Sequence, residues 1–336
     1  MKIAIDAMGG DNAPKAVVEG CIDTANEYDI EIFLIGNEKE VEKYLNGVNP
    51  TKGKIHIVHA DEVITGEDTP VQAIKQKKNS SMVVGLKMVK DGECDAFLSA
   101  GNTGAFLAGA LLKVGRIKGI DRPALAPLLP TEKGVCMLID AGANMDCKPK
   151  NLLQFAIMGA IYMEKVEGIL SPRVGLLNVG TEEGKGNDLT KQSYELLKNS
   201  SLNFVGNVEA RDIFSGACDV LVCDGFAGNV VLKNTEGLAS TIFSLLKEEL
   251  MKSTKSKFGA LLLKDSFKSF KKRFDYKEYG GAPFLGIDGI MIKAHGSSDS
   301  RAIKNAIRQA KLLYDNGCID RIAMDLKDTG VNDVEQ

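Results

Sequence analysis

The stretch VGLLNVGTEEGKGND, residues 174–188, decides the fold because it predicts a strand, a tight turn and a helix start in direct succession. Residues 174–179 form an apolar run of strand length, and Gly180 ends it. Either Asn187 or Asp188 can cap the helix that follows, because both side chains accept hydrogen bonds from N–H groups of a first helical turn. This order of elements is typical of α/β proteins.

The turn within this stretch has the composition of an anion-binding loop. Gly180, Gly184 and Gly186 let backbone N–H groups approach an anion closely, and Lys185 adds a positive charge. We therefore expect phosphate to bind at Gly184, Lys185, Gly186 and Asn187.

The loop does not match a Walker A motif. That motif requires G-x-x-x-x-G-K-[ST], whereas only three residues separate Gly180 from Gly184, and Gly186 replaces the hydroxyl residue. An ordinary glycine-rich connection between a strand and a helix has the same composition. The loop by itself leaves both interpretations open.

A strand followed by a helix recurs along the chain. Apolar runs predict strands at residues 2–6, 31–36, 54–60, 95–99, 135–140, 174–179, 202–206, 220–223 and 289–293. Helical patterns lie between most of them, at residues 14–26, 71–90, 103–114, 152–166, 189–198, 230–251 and 300–315. We expect an open, mostly parallel sheet sandwiched by helices. One α/β catalytic domain, single or in two closely packed lobes, would span residues 1–325 before a polar tail at 326–336.

The composition narrows the class of protein. The 336 residues are 44% hydrophobic and 26% charged, as in ordinary globular proteins, and a net charge of −3 gives no overall case for nucleic-acid binding. The seven cysteines form no C-x-x-C pair, which favours reduced thiols over disulfides or a structural metal. The sequence shows neither a signal peptide nor an apolar run of transmembrane length. We expect a cytoplasmic protein that at most lies on a membrane surface.

Small polar loops that contain glycine follow six predicted strands, at residues 6–11, 99–104, 140–144, 178–187, 224–229 and 295–298. Glycine, Asn and Asp are common turn formers, which accounts for part of this pattern. Ligands of open α/β sheets bind beyond the carboxyl ends of strands, so we expect these loops to share one crevice. Its polar candidates are Asp6, Ser99, Thr103, Asp140, Asn144, Asn178 and Asp224.

Few catalytic motifs are recognisable. The chain has no G-x-S-x-G nucleophile motif and no H-E-x-x-H zinc motif. Carboxylates at strand ends cap turns as often as they bind metals, so we predict no metal. His56 and His59 lie in a strand pattern that favours a structural role. His295 follows a strand and precedes Gly-Ser-Ser, where either a ligand-polarising group or a helix cap would lie.

Backbone N–H donors together with Lys185, Asn102 and Asn229 suit an anionic ligand and a developing oxyanion. No activated Ser or Cys accompanies them. We therefore expect a bound anion to attack an activated acyl group directly, a reaction that requires mainly positioning and electrostatics.

Residues 247–277 carry a net positive charge in a chain that is acidic overall, with ten Lys or Arg against four Asp or Glu. The segment combines apolar residues with interleaved cations, and its candidates for a membrane or carrier surface are Phe258, Leu261, Leu262, Leu263, Lys271, Lys272 and Arg273. Phe267, Phe270 and Phe274 have the spacing of one helical face, which is typical of a helix on anionic lipid or against an acidic protein. A helix packed on its own domain or on a second subunit has the same pattern. No nucleic-acid motif is present.

Nine motifs in this order resemble the bacterial acyl-ACP:phosphate acyltransferases, the PlsX family. They are DAMGGDNAP at 6–14, SAGNTGA at 99–105, RPALA at 122–126, DAGAN at 140–144, GTEEGKGN at 180–187, VGNVEARD at 205–212, CDGFAGN at 223–229, YGGAPFLG at 279–286 and AHGSS at 294–298. The match extends from residue 1 to about residue 322. Long motifs in a fixed order are far more specific than any single loop.

The resemblance implies an enzyme that converts acyl-acyl-carrier-protein and inorganic phosphate into acyl phosphate and free carrier protein. A membrane glycerol-3-phosphate acyltransferase would use the product to begin phospholipid synthesis. The resemblance also implies a homodimer, peripheral association with the membrane, a fold related to phosphotransacetylases and isopropylmalate dehydrogenases, and neither nicotinamide nor another cofactor.

Three positions depart from the family pattern. Lys75 stands where Arg is expected, which keeps the charge but loses bidentate geometry and weakens any role in clamping an anion. Phe284 and Asp288 stand where Leu and Asn are usual, and both changes look tolerable.

The motifs and the resemblance together suggest a mechanism. Lys185 and the backbone of 184–187 would hold phosphate, assisted by Asn229 or by the hydroxyls of Ser297 and Ser298. The phosphate oxygen would attack the thioester carbonyl, and the carrier thiolate would leave. Asn102, Asn229 or His295 would polarise the carbonyl or protonate the thiol.

Three alternatives stay open. A phosphotransacetylase that uses acetyl-coenzyme A would not need the long apolar stretch. A nicotinamide-dependent decarboxylating dehydrogenase conflicts with the absence of G-x-G-x-x-G after a strand. A non-catalytic membrane scaffold would explain residues 247–277 but not six polar loops.

Overall fold

Two sheets flanked by helices build the protein. The computed structural model describes residues 1–274 and 278–328, including all their side chains except those of 271–274 and 327–328. The predicted surface residues Lys271, Lys272 and Arg273 therefore lie outside the described side chains. The strands are β1 (Lys2–Asp6), β2 (Glu31–Gly36), β3 (Lys54–His59), β4 (Ala96–Ser99), β5 (Ala124–Leu125), β6 (Leu128–Thr131), β7 (Gly134–Ile139), β8 (Val174–Asn178), β9 (Phe204–Glu209), β10 (Val220–Val222), β11 (Ala282–Leu285) and β12 (Ile290–Lys293).

The helices mostly alternate with the strands. They are α1 (Lys15–Glu27), α2 (Glu38–Leu45), α3 (Pro70–Gln76), α4 (Ser81–Lys90), α5 (Thr103–Gly109), α6 (Pro149–Lys165), α7 (Asp188–Lys198), α8 (Gly225–Leu250), α9 (Thr254–Leu262), α10 (Lys264–Phe274), α11 (Ser300–Asp315) and α12 (Cys318–Asp328). A π-helical turn, Ala110–Val114, extends α5, and a 3₁₀ turn, Ala210–Ser215, follows β9. Among the described residues, no helix combines the length and hydropathy that a membrane span requires.

The first sheet has seven strands in the order β3-β2-β1-β4-β12-β11-β5. Strands β1, β2, β3, β4 and β12 are parallel to one another, whereas β11 runs antiparallel to β12 and β5. The second sheet has five strands in the order β6-β7-β10-β8-β9, of which only β6 is antiparallel. The predicted α/β class with mostly parallel, helix-flanked strands is confirmed, but two sheets replace the one sheet expected.

Several predicted boundaries are wrong for local reasons. The helix expected at 71–90 is divided into α3 and α4, because the Ser80 Oγ accepts a hydrogen bond from the Val83 N–H and starts a new helix. The strand expected at 202–206 lies at Phe204–Glu209. Strands β5, β6 and β11 were not predicted, since two to four residues are too few to show a period.

The expected polar tail also begins too early. Helix α12 continues to Asp328, and the Leu326 side chain is buried against the core. An amphipathic last turn therefore replaces the first part of that tail. Residues 329–336 lie outside the described chain.

Aromatic side chains join β4, α5 and β11 in the core. Phe106 makes edge-to-face contacts with Phe97 and Phe284, with ring centroids 5.1 and 5.3 Å apart, and all three rings are buried. Phe284 stands where Leu is usual in the family pattern, and this cluster accommodates its larger ring. Helix α6 is buried over most of its length and contacts β7, β10, α7 and α12, so it forms the centre of the second half of the core.

Helix α8 extends away from this core. Its buried residues are Gly225 and Gly228, both in the first turn. Apolar side chains are exposed along the rest of the helix, including Leu238, Ile242 and Leu245. Helix α10 returns to α8, where the Phe270 and Phe243 rings lie 5.9 Å apart. The predicted phenylalanine face therefore contacts its own chain in part.

We predict that Phe106→Ala lowers the free energy of unfolding by about 3–5 kcal/mol, because it leaves a cavity between two buried rings. Urea denaturation measures the change. Phe258→Ala is the control, since the Phe258 side chain is 64% exposed and its loss should alter stability by less than about 0.5 kcal/mol. Equal losses in the two variants would contradict the assignment of this cluster to the core.

Candidate active site

Three glycine-bearing loops meet at the carboxyl edge of the first sheet. Strands β1, β4 and β12 are neighbours, so the loops that follow them lie side by side. The Asp11 N–H donates to the Gly296 carbonyl at 2.8 Å, and the Asn12 Nδ2 donates to the Ser298 carbonyl at 3.1 Å. The structure thus brings the predicted loops at 6–11, 99–104 and 295–298 together.

Asp6 and Ser99 lie beneath these loops. Both are buried, and the Asp6 carboxylate accepts hydrogen bonds from the hydroxyls of Ser81 at 2.6 Å and Ser99 at 2.7 Å. Burial raises the pKa of Asp6, and these hydrogen bonds act in the opposite direction. The Ser99 Oγ also accepts a hydrogen bond from the Gly101 N–H. These contacts show both side chains fixing the loop at residues 99–104.

Asn102 caps α5. Its Oδ1 accepts a hydrogen bond from the Ala105 N–H at 3.0 Å, and its Nδ2 donates to the Thr65 carbonyl at 3.1 Å. A direct contact between this amide and a substrate would have to replace those bonds. Thr103 is exposed in the first turn of the same helix.

His295 is held in a defined tautomer when it is neutral. The Ser297 N–H donates to Nδ1 at 3.2 Å, and the Ser297 hydroxyl lies 2.8 Å from the same nitrogen, so the ring hydrogen belongs on Nε2. Partial burial lowers the pKa of His295, and nearby Lys233 and Lys293 lower it further while Glu236 opposes them. At neutral pH the ring is therefore uncharged and carries its hydrogen on Nε2. Ser298, one residue beyond Ser297, is buried.

Lys293, the last residue of β12, is a site residue that the sequence reasoning missed. It is 8% exposed, and its Nζ donates to the Ala100 carbonyl at 3.4 Å and to the Ala294 carbonyl. Burial lowers its pKa to about 8. The available signal was a lysine that ends an apolar strand directly before the His295 loop.

A second set of loops lies at the carboxyl edge of the second sheet, where β7, β10 and β8 are neighbours. Asp140 follows β7 and is buried. Its carboxylate accepts five hydrogen bonds, from the N–H groups of Leu125, Gly142, Ala143 and Asn144 and from the Asn144 Nδ2. Burial raises the pKa of Asp140, and these donors oppose that shift. Asp140 and Asn144 thus hold the loop at 140–144 in place.

Asn229 lies above this loop in the first turns of α8. A Cβ on Gly142 would come within 3.3 Å of the Asn229 Oδ1, so glycine is required for this close approach. Asp224 caps the same helix, with its Oδ1 accepting from the Ala227 N–H at 2.7 Å. The Asn229 amide has no hydrogen-bond partner among residues 1–274 and 278–328. It is therefore available to a ligand.

The loop at 180–187 is fixed from below. The Asn178 Nδ2 donates to the Lys185 carbonyl at 3.1 Å and to the Asn207 Oδ1 at 3.0 Å. Gly186 has φ +94°, and a Cβ there would collide with the Thr190 hydroxyl and the Asn178 amide. Of the two predicted capping residues, Asn187 and Asp188, it is Asn187 that caps α7. Its side chain accepts a hydrogen bond from the Thr190 N–H at 2.9 Å.

The free side of this loop faces outward. The Lys185 Nζ lies 3.9 Å from the Glu182 carboxylate, and the Lys185 side chain is 53% exposed. No atom lies within 4 Å of a Cβ built on Gly184. This cation and the neighbouring backbone are accessible to an anion.

Helix α8 connects the two groups of loops. Lys233 is one turn after Asn229 on the same helical face, and its charge lowers the pKa of both Lys293 and His295 in the first sheet. Helix α8 therefore runs from the loops of the second sheet toward the end of β12 in the first sheet. Lys233, which also pairs with Glu236 at 2.8 Å, is a second residue that the sequence reasoning missed.

The sequence is similar to those of known proteins. Residues 1–321 match the fatty acid synthesis protein family. A phosphate acyltransferase from Alkaliphilus oremlandii is 58% identical over 335 residues, with 100% of both chains covered. Another, from Clostridium novyi, is 58% identical over 323 residues, covering 96% of this chain and 97% of the relative. The chain belongs to the phosphate acyltransferase family.

Solved structures support the fold of this phosphate acyltransferase. A phosphotransacetylase from Streptococcus pyogenes aligns with a TM-score of 0.62 at 17% identity and 94% coverage of each chain. A branched-chain phosphotransacylase from Enterococcus faecalis aligns with a TM-score of 0.58 at 14% identity, covering 93% of this chain and 98% of the other. The expected relation to the phosphotransacetylase fold is confirmed.

We predict that Asp140→Asn lowers the free energy of unfolding of this phosphate acyltransferase by about 3 kcal/mol, because an amide NH₂ would face buried N–H donors and leave them unpaired. Urea denaturation followed by circular dichroism measures the loss. The control is Asp146→Asn in the same loop, where the side chain is exposed. Stability equal to that of the control would show that Asp140 does not organise the loop.

Proposed function

We propose that this phosphate acyltransferase moves a long-chain fatty acyl group from an acyl-carrier-protein thioester to inorganic phosphate. The product, an acyl phosphate, would supply phospholipid synthesis. The observation that supports the proposal is a set of donors at the sheet edges: the exposed Lys185, the unpartnered Asn229 amide and the neutral His295 ring. These groups bind anions and polarise a carbonyl.

The cysteines support direct attack by phosphate. Six of the seven thiols are buried, and the half-buried one, Cys147, is next to the crevice. Burial and the charge of Asp140 raise the pKa of Cys147 to about 12. A thiol in that state does not supply the thiolate that an acyl-enzyme intermediate requires.

The proposed reaction has one bond-forming and one bond-breaking event at the carbonyl carbon. An oxygen of phosphate forms a C–O bond to the thioester carbon while Lys185 and the backbone at 184–187 hold the phosphate. The Asn229 amide and the His295 Nε2–H donate to the carbonyl oxygen as negative charge develops there. The C–S bond then breaks, and the carrier thiolate leaves with the electron pair.

We further propose that the segment at 247–277 lies on the membrane and guides the acyl chain. Phe258, Leu261, Leu262 and Leu263 are 64, 65, 71 and 52% exposed. Lysines surround them in the sequence, and this combination favours an anionic surface. The same cations suit an acidic carrier protein, and a membrane glycerol-3-phosphate acyltransferase could receive the product there.

A homodimer is part of the same proposal. Leu238, Ile242 and Leu245 of α8 are 56, 52 and 59% exposed on a helix that leaves the core. The family resemblance implies a homodimer, and a second copy of the chain would bury this stripe.

We expect Lys185→Ala and Asn229→Ala each to lower phosphate-dependent turnover by about a hundredfold or more, because each removes a donor to developing or bound negative charge. Acyl phosphate formation from palmitoyl-carrier protein measures the effect, with acetyl-coenzyme A assayed beside it. Lys191→Ala is the control, since Lys191 is exposed on α7. Near wild-type turnover in both variants would remove this assignment, and a preference for acetyl-coenzyme A would make the enzyme a phosphotransacetylase.

The double variant Leu261→Glu, Leu262→Glu should lose flotation with vesicles that contain anionic phospholipid, because two charges would replace exposed apolar side chains. Leu170→Glu is a matched control, at an 85% exposed leucine outside the segment. Unchanged flotation of the double variant would restrict the segment to contacts with a second subunit or the carrier.

A further inference from the structure

The feature that the proposed mechanism leaves unused is the buried ammonium of Lys293. Asp6, Ser99 and Lys293 end three neighbouring strands and form a row across the carboxyl edge of the first sheet. Lys293 pairs with Ser99 in the strand register, and Ser99 donates its hydroxyl hydrogen to Asp6. The row therefore has a buried carboxylate at one end and a buried cation at the other.

The charge of Lys293 is not balanced by a direct partner. Its Nζ donates to two carbonyls, those of Ala100 and Ala294, and no carboxylate of the described residues is within salt-bridge distance. Asp6 and Asp11 attract it only at longer range, and the Asp6 oxygens already accept from Ser81 and Ser99. A buried charge without a counter-ion costs stability, and a buried cation with a perturbed pKa at a sheet edge is a candidate functional group.

Further positive charge converges on the same place. Lys233 approaches from α8 and lowers the pKa of Lys293, after the larger effect of burial. The same two lysines also act on His295. Lys233 is paired with Glu236 at 2.8 Å, whereas Lys293 has only the longer-range attraction of Asp6 and Asp11.

We propose that Lys293 is a phosphate-binding residue, whose carbonyl-anchored ammonium supplies the buried counter-charge for orthophosphate beneath the loops at 99–104 and 295–298. An ammonium has three hydrogens, of which the two carbonyls occupy two. The third is left for an anion. This inference rests on the proposed use of phosphate and adds a residue to that site from the opposite sheet.

Lys293→Met should raise the KM for inorganic phosphate at least tenfold while it changes the KM for the acyl donor by less than twofold. Lys293→Arg keeps a charge and should recover part of the phosphate affinity. Thermal unfolding supplies a readout besides activity: at the same concentration, added inorganic phosphate should raise the Tm of the wild type more than that of Lys293→Met. Lys191→Met, at an exposed lysine of α7, is the matched control.

The pH dependence adds a signature that a purely structural lysine would not give. The pKa of Lys293 is lowered to about 8, so the ammonium loses its proton as the pH rises through that value. Expressed as the concentration of the phosphate dianion, the phosphate KM of the wild type should then rise, whereas that of Lys293→Met should be high and flat and that of Lys293→Arg flat. Asp6, Asp11 and Lys233 are the charged groups that act on Lys293 over this range.

The outcomes separate this inference from the proposed function. If the wild type forms acyl phosphate but Lys293→Met keeps the wild-type phosphate KM and phosphate-induced rise in Tm, the inference is wrong and the function stands. A change confined to kcat or to the acyl-donor KM also overturns it. If the wild type forms no acyl phosphate, the proposed function fails, and the phosphate-induced rise in Tm still decides the role of Lys293.

Discussion

The hydrogen bonds to the buried Asp140 carboxylate are the constraint on which the rest of the site depends. Five donors surround it, and one of them, the Leu125 N–H, belongs to β5 of the first sheet. Asn144 extends the connection, because its Nδ2 donates to the Pro123 carbonyl at 2.7 Å. One side chain at the end of β7 therefore holds a loop of the second sheet and a strand of the first in fixed relation.

Asp6 has the corresponding role in the first sheet. Each carboxylate is buried at a strand end and accepts hydrogen bonds from the loop that it supports. Because both are used internally, the proposed ligand-binding groups are other side chains at the sheet edges: Lys185, Asn229 and His295. Acidic residues thus shape the site, while neutral and cationic residues are left for an anionic ligand.

Helix α8 connects the loops at the carboxyl edges of the two sheets. Its first turn packs through Gly225 and Gly228, where a Cβ on Gly228 would meet the Asp140 carbonyl oxygen at 1.9 Å. This contact sets the direction of the helix, so Lys233 comes within electrostatic range of Lys293 and His295. Farther along, the same helix leaves the core and supports the apolar segment. One helix therefore carries both Asn229 and the exposed apolar side chains Leu238, Ile242 and Leu245.

By itself, the sequence determined the α/β class, most strand and helix positions and the set of loops that carry polar residues. These features depend on local periodicity and on turn and cap chemistry, as the capping residue Asn187 illustrates. Only the tertiary structure decided the division into two sheets, the capping role of Asn102, and the convergence of Lys233 and Lys293. Those features arise from contacts between residues far apart in the chain, such as Asp140 with Leu125. Burial then lowers the pKa of a lysine such as Lys293. No local pattern encodes either effect.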